Sequence, residues 1–308
     1  LYRGDDTFIS TLRGAIEEQA KEYELQTGIK VTLDIMDAKG SQLTQDSQAD
    51  RLISLECDAL CVNMVDRSAA SGVIDKAMEA GIPIVFFNRE PVEEDLERWE
   101  KACYVGTPAE EAGRLQGGIV LDAWKKDPAA LDKNGDGILQ YVMLEGEPGH
   151  QDALLRTEYS VKTLMTAGVT TEKLDNYNAD WQRGLATVRM QQWLEEFGER
   201  IELVLANNDD MALGAISSLQ TAGYNMGDGQ SKVIPVFGVD AVDNAKAAIS
   251  AGTMTGTVKQ DAEGMAQSIA TLVSNFEANG DLMSNTGDMI VDEGVAKIRV
   301  PYAAYFGE

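Results

Sequence analysis

Apolar runs of strand length alternate with stretches of helical period along the whole chain. The runs at 30–36, 59–65, 83–88, 102–106, 138–144, 202–207, 233–239, 254–258 and 297–300 have the length and apolar content of buried strands. Between them lie helices. Ile9, Leu12, Ile16 and Ala20 mark one face of the first, since positions three or four apart share a helix face. Further helices are predicted over 42–56, 69–80, 108–126, 151–166, 181–197, 209–222, 242–250 and 262–278. Gly81, Gly168, Gly223, Gly252 and Gly280 stand where these helices should end. Strand and helix in regular alternation predict an α/β fold, with parallel sheets covered by helices on both faces. Nine strands could make one wide sheet or two smaller ones. The break at Gly106-Thr107-Pro108, after four strand signals, makes two lobes of similar build the better account.

Composition narrows this picture. At 308 residues and 44% hydrophobic content, the chain can bury large cores. No apolar run approaches the roughly 18 residues of a membrane-spanning helix. Acidic residues number 51 against 26 basic ones, a net charge of −25. Such a surface repels phosphate backbones, so nucleic acid is not an expected partner. Cys57, Cys61 and Cys103 sit at no metal-ligand spacing and read as free thiols buried on strands. The chain starts at Leu1 with no initiator Met.

The stretch 132–156 carries the densest chemistry. Asp132, Asn134 and Asp136 place oxygens at alternate positions, followed by Gly137, Ile138 and Gln140. That is the first nine positions of an EF-hand calcium loop, with side-chain ligands at 1, 3, 5 and 9 and a backbone carbonyl at 7. Position 12 is Met143 where a bidentate Glu is needed, so a further carboxylate must come from elsewhere. The loop also runs into an apolar strand rather than a helix. After that strand come Gly146, Pro148, Gly149 and His150, the only histidine, then Asp152 and Arg156. A strand-to-helix turn is where α/β proteins bind ligands.

Three other strands end in amides or carboxylates: Asn88, the run Asn207-Asn208-Asp209, and Asp240. Each alone could cap a helix. Together with His150 and Asp152 they read as a polar crevice with one fixed guanidinium, Arg156. Paired donors and acceptors of this kind match sugar hydroxyls, each of which donates once and accepts twice. They do not match phosphate, because no glycine-rich phosphate loop follows any strand. Asp152 and Arg156 lie one helical turn apart and share a face, which makes them the expected specificity pair. Aromatics are sparse at 6%. Phe8 and Trp181 each begin a helix and could pack as core or serve as platforms for the faces of a sugar ring. No nucleophile motif or histidine pair points to an enzyme.

The residues as a set resemble the periplasmic D-galactose/D-glucose-binding proteins of ABC sugar transport. The resemblance rests on Asp5-Asp6-Thr7-Phe8, Val85-Phe86-Phe87-Asn88, the 132–140 loop, Gly146-Glu147-Pro148-Gly149-His150, Ala206-Asn207-Asn208-Asp209 and Pro235-Val236-Phe237-Gly238-Val239-Asp240. It implies a type I binding-protein fold. Two Rossmann-like lobes, 1–106 with 261–296 and 107–260 with 297–308, would be joined by three crossovers and close on the sugar. The hinges would lie near 106–108, 258–261 and 297–301. Asp6, Asn88, His150, Asp152, Arg156, Asn208 and Asp240 would hydrogen-bond the sugar, and Phe8 and Trp181 would sandwich it. Gln260 stands where the family usually has Asn. Glu202 would complete a structural calcium site with Asp132, Asn134, Asp136, Gln140 and the Ile138 carbonyl.

The implied function is capture of D-glucose or D-galactose outside the cytoplasm by a monomer, free in a periplasm or lipid-anchored. Delivery would be to ABC transporter membrane subunits, with a chemoreceptor as a further partner. A LacI-type regulator core and a calcium-dependent carbohydrate-processing enzyme are the alternatives. The family also has an apolar strand just upstream of Leu1-Tyr2. A central parallel strand cannot be deleted without leaving its neighbours' backbone groups unpaired, so the numbering is expected to start after trimmed residues.

Overall fold

The structure, a computed structural model, describes residues 1–292 and 294–307. In chain order the elements are α1 (Thr7–Thr27), α2 (Gln42–Ser54), β1 (Leu60–Val62), α3 (Ala70–Ala80), β2 (Ile84–Phe87), α4 (Glu93–Leu96) and β3 (Ala102–Gly106). Then follow α5 (Ala109–Lys126), α6 (Pro128–Leu131), β4 (Ile138–Glu145), α7 (Gln151–Thr166), β5 (Thr170–Asn178), α8 (Arg183–Phe197), β6 (Leu203–Ala206) and α9 (Asp209–Thr221). The chain continues through β7 (Val236–Asp240), α10 (Asp243–Ser250), β8 (Gly256–Lys259), α11 (Ala262–Asn279), β9 (Ile290–Val291), β10 (Lys297–Arg299) and β11 (Ala303–Tyr305).

The chain divides into two compact units. The first is Leu1–Thr107 with Asp261–Val300, and the second is Pro108–Gln260 with Pro301–Glu308. The third change of unit thus falls after Val300, not at 296 as the sequence reading placed it. The reason is pairing: β10 runs parallel to β3, with Ile298 opposite Val105, and belongs to the first unit's sheet.

The first unit's sheet has strand order β1-β2-β3-β10-β9. Alternate residues of β2 face opposite ways, as the strand period requires. Val85 and Phe87 pack with Phe8, Ile9 and Leu12 of α1 and Met265 and Ile269 of α11. Ile84 and Phe86 pack with Val73, Ile74 and Ala77 of α3. The expected strand over 30–36 is not one: the segment has no ladder partner and no regular strand assignment. Its alternating Val31, Leu33 and Ile35 satisfy the strand pattern, but pairing needs a neighbour that the pattern cannot supply. The cysteine expectation also fails in part. Cys103 is buried on β3, but Cys57 is half-buried outside any strand and Cys61 on β1 is exposed.

The second unit's sheet has order β11-β8-β7-β6-β4-β5. β4 pairs parallel with both β5 and β6. Its two faces carry separate apolar layers. Val142, Leu144, Val204 and Val236 lie in one, with α8 and α9. Leu139, Met143, Leu205 and Phe237 lie in the other, with α5. The sheets are parallel except at one edge each, where β9 and β11 pair antiparallel. Among the described residues, no helix is long and apolar enough to cross a membrane.

Candidate functional site

The second unit gathers most of the predicted site residues around one guanidinium. Arg156, on α7, is 3% exposed. Its Nη1 donates to the Asn207 carbonyl at 2.8 Å. Its Nη2 donates to Gln260 Oε1 at 3.0 Å, to the Tyr302 hydroxyl at 2.9 Å and to Asp152 Oδ2 at 3.2 Å. Asp240 Oδ1 stands 3.9 Å from Nη1, and the Trp181 ring centroid 5.9 Å from the guanidinium carbon. Among the described residues, the buried Nε has no acceptor. Burial works against the charge of Arg156, but Tyr302, Asp152 and Asp240 outweigh it and hold its pKa above the ordinary arginine value. The result is a permanent cation fixed by acceptors on several sides.

Local sequence explains how each group arrives. His150 is the N-cap of α7, and its Nδ1 accepts from the Asp152 amide at 3.1 Å. An accepting Nδ1 leaves the imidazole proton on Nε2 when the ring is neutral. The His150 ring meets Trp181 edge-on, with centroids 5.2 Å apart. Trp181 has φ 64° and lies so close over Gly146 that a Cβ there would meet the indole at 2.2 Å. Glycine at 146 is thus a condition for the ring's position. Asn208 caps α9 through Met211 N–H at 3.0 Å, and its amide donates to the Trp181 carbonyl at 3.3 Å. The capping reading holds for Asn208, and the same side chain anchors the backbone of Trp181.

Asp6, Phe8 and Asn88 lie on the first unit. Asp6 caps α1, accepting from Ile9 N–H at 3.0 Å and from the Tyr2 hydroxyl at 2.5 Å. Phe8 is buried in that unit's core. Asn88 follows β2 with φ 60°, and its Oδ1 accepts from Asn63 at 3.0 Å. Sequence reasoning missed Tyr302 in the Arg156 cluster and Tyr2 and Asn63 in the first unit. Tyr302 follows Pro301 beside a strand of three residues, too short to give a periodic signal.

The calcium candidates come together at the start of β4. Asp132 accepts from the amides of Gly135, Asp136 and Gly137, and Asp136 from Ile138 N–H. Gln140 Nε2 donates to Asp136, while Gln140 Oε1 accepts from Asn134. Glu202 is fully buried and reaches the same loop. Its Oε1 accepts from the amides of Lys133 and Asn134, its Oε2 from Gln140 N–H. Among the described residues no three acidic, histidine or cysteine side chains are already arranged as a metal cage. The donors are all oxygens, the set a hard cation takes, and Asp132 Oδ2, Asp136 Oδ1 and Glu202 Oε2, each bonded to a single amide, keep a second lone pair.

A periplasmic binding protein domain matches residues 1–280. The chain belongs to the periplasmic binding protein family. It is 37% identical to the D-galactose/methyl-galactoside binding periplasmic protein of Haemophilus influenzae, over 98% of this chain and 86% of that one. It is 35% identical to a putative rhizopine-binding protein of Rhizobium meliloti, over 84% of this chain and 77% of that one. An ABC transporter solute-binding protein from Bacillus halodurans, solved with myo-inositol, superposes with TM-score 0.75 at 27% identity, covering 99% of this chain and 91% of that one. As a periplasmic binding protein the chain is a binder and not an enzyme, and its two parallel-sheet units are those of the type I fold.

Proposed function

We propose that this chain binds a hexose, D-galactose or D-glucose, outside the cytoplasm and hands it to the membrane subunits of an ABC transporter. The observation that carries the reading is the fixed guanidinium of Arg156, set among Asp152, Asp240, Gln260 and Tyr302 with Trp181 beside it. A sugar hydroxyl needs an acceptor for its proton and a donor for its lone pairs. A carboxylate beside a guanidinium offers both, and charge-assisted bonds of this kind contribute about 1.5–3 kcal/mol each. The indole face suits the C–H face of a pyranose. Asp6, Asn88 and Phe8 are the first unit's sugar residues in this reading, and Asn208 and His150 complete the second unit's set. Likeness to the galactose-binding relative supports the hexose, and the family supports a place in the periplasm or on a lipid anchor. A chemoreceptor as second recipient and a monomeric state rest on the resemblance alone.

Calorimetric titration with D-galactose, D-glucose, methyl-galactoside and myo-inositol tests the reading. Tight binding of galactose or glucose, with myo-inositol weaker, is the expected result. Binding of neither hexose would overturn it.

We further propose a structural calcium ion held by Asp132, Asn134, Asp136, Gln140, Glu202 and the Ile138 carbonyl. The support is a buried carboxylate, Glu202, that ties down an all-oxygen loop with backbone amides as its neighbours. Magnesium fits less well because it keeps its waters in a tighter octahedron. A filled site at 100 times its Kd would stabilise the second unit by about 2.7 kcal/mol. Chelation should therefore lower the melting temperature more than it lowers hexose affinity, and Glu202→Ala should abolish the chelator's effect. An unchanged melting curve in chelator would sink the calcium assignment.

A further inference from the structure

We propose that Asp209 is a positioning residue for ligand binding: it ties the Asp240–Val242 turn and β8 to the start of α9, and so holds Asp240 beside Arg156. Asp209 is fully buried at the first position of α9, outside the set of groups assigned to the sugar. Its Oδ2 accepts from Val242 N–H at 2.9 Å and its Oδ1 from the Thr257 hydroxyl at 2.6 Å. The turn it grips is strained. Asp240 has φ 122° and Ala241 φ 58°, values that L residues rarely adopt. Such backbone persists only where surrounding contacts over-determine it, and the Val242 bond is one such contact, placed two residues after Asp240.

A second observation supports the same role. A Cβ at Gly238 would meet Asp209 Oδ1 at 2.2 Å. The middle of β7 is therefore bare so that the Asp209 carboxyl can approach the strand that delivers Asp240. Thr257, fully buried on β8, grips the same carboxyl from the neighbouring strand. The burial of Asp209 favours its neutral form. A neutral carboxyl still accepts from Val242 through one oxygen and can bond Thr257 through the other, so an Asn should serve in its place.

The proposal rests on the hexose reading, and its test separates the two. D-galactose affinity is measured by calorimetry for the wild type, Asp209→Ala, Asp209→Asn, Thr257→Val, Asp240→Ala and the Asp209→Ala/Asp240→Ala double variant. Hydrogen exchange at the Val242 amide is followed in parallel without sugar. Asp209→Ala should weaken binding about tenfold or more and speed Val242 exchange. Asp209→Asn should stay within about threefold of wild type. The double variant should bind no more weakly than Asp240→Ala alone, since the effect passes through Asp240. If Asp209→Ala does not fold, Thr257→Val stands in, with a smaller loss that likewise vanishes in an Asp240→Ala background. Unchanged affinity in a folded variant, or losses that add to that of Asp240→Ala, overturns the positioning role. A wild type that binds no hexose refutes the hexose reading instead. Val242 exchange then decides the role of Asp209: acceleration supports it and no change overturns it.

Discussion

The two units share one plan of alternating strands and helices, yet their sheets are finished differently. In the second unit, β4 is paired on both sides, by the edge strand β5 from Ile138 to Glu145 and by β6 from Tyr141 to Leu144. In the first unit, β1 is an edge of only three residues, and the apolar segment 30–36 runs beside it without joining the ladder. A groove of about 190 Å³ lies there, lined among others by Leu33, Ile35, Leu52, Leu60 and Val62. Leu33 and Ile35 are 41% and 40% exposed. Apolar pattern and apolar burial have come apart in this segment. A strand is stabilised by its neighbours, so the same alternation that builds β4 leaves 30–36 half in water. The first unit should accordingly open first, from β1 inward.

Three changes would break or sharpen that contrast. The largest effect is expected at Arg156. Arg156→Ala leaves Asp152 and Asp240 buried beside a lost cation, which costs about 3–5 kcal/mol. Hydrogen exchange should show the loss confined to the second unit, with β2 and β3 protected as before. Equal loosening of both units would contradict the division. Next come matched leucines. Leu205→Ala, in the fully buried layer of β6, should cost about 2–5 kcal/mol. Leu33→Ala in the groove should stay within about 0.5 kcal/mol. Denaturant titration decides between them, and a Leu33 cost as large as that of Leu205 would mean the groove is closed in solution.

The third change is one of pH. Burial pushes the Asp209 carboxyl up to about 7, against hydrogen bonds from Thr257, Val242 and Ala241 that pull it down. An unfolded Asp titrates near 3.9. The folded protein therefore keeps a proton that the unfolded chain releases between those values. The stability this gives is full below about pH 4 and is lost as pH rises through about 7, at no more than ~1.4 kcal/mol per pH unit. Asp209→Asn should flatten that slope for the second unit and leave the first unit's pH profile as it was. An unaltered slope would place the titration elsewhere.

What the sequence could show follows from how local each signal is. α7 was legible to the residue, because Pro148, Gly149 and His150 mark its start and Gly168 stands just past its end. The pairing of Asp152 with Arg156 was legible for the same reason, since one helical turn fixes their common face. β5 was missed because its Thr-Thr-Glu-Lys-Leu-Asp-Asn-Tyr-Asn is polar apart from Leu174 and Tyr177: an edge strand needs little apolar surface. The strand expected over 30–36 was misread for the opposite reason. Gln260 and Tyr302 meet Arg156 across 104 and 146 residues, and no spacing announces such contacts. The Gly238–Asp209 approach was hidden in a segment that reads as an ordinary buried strand.

Tyr302 also bears on how the protein can be taken apart. Gln260 is the last residue of one stretch of the second unit, and Tyr302 is the second residue of the stretch that returns to it. Both hold Arg156, and between them the chain spends forty residues in the first unit, 261–300. A fragment ending at Gln260 would look like a whole domain by length and composition. It would lack Tyr302 and the β11 strand that covers the edge of β8. To be made alone, the second unit has to be spliced, with its last eight residues, 301–308, carried to Gln260 on a short artificial linker.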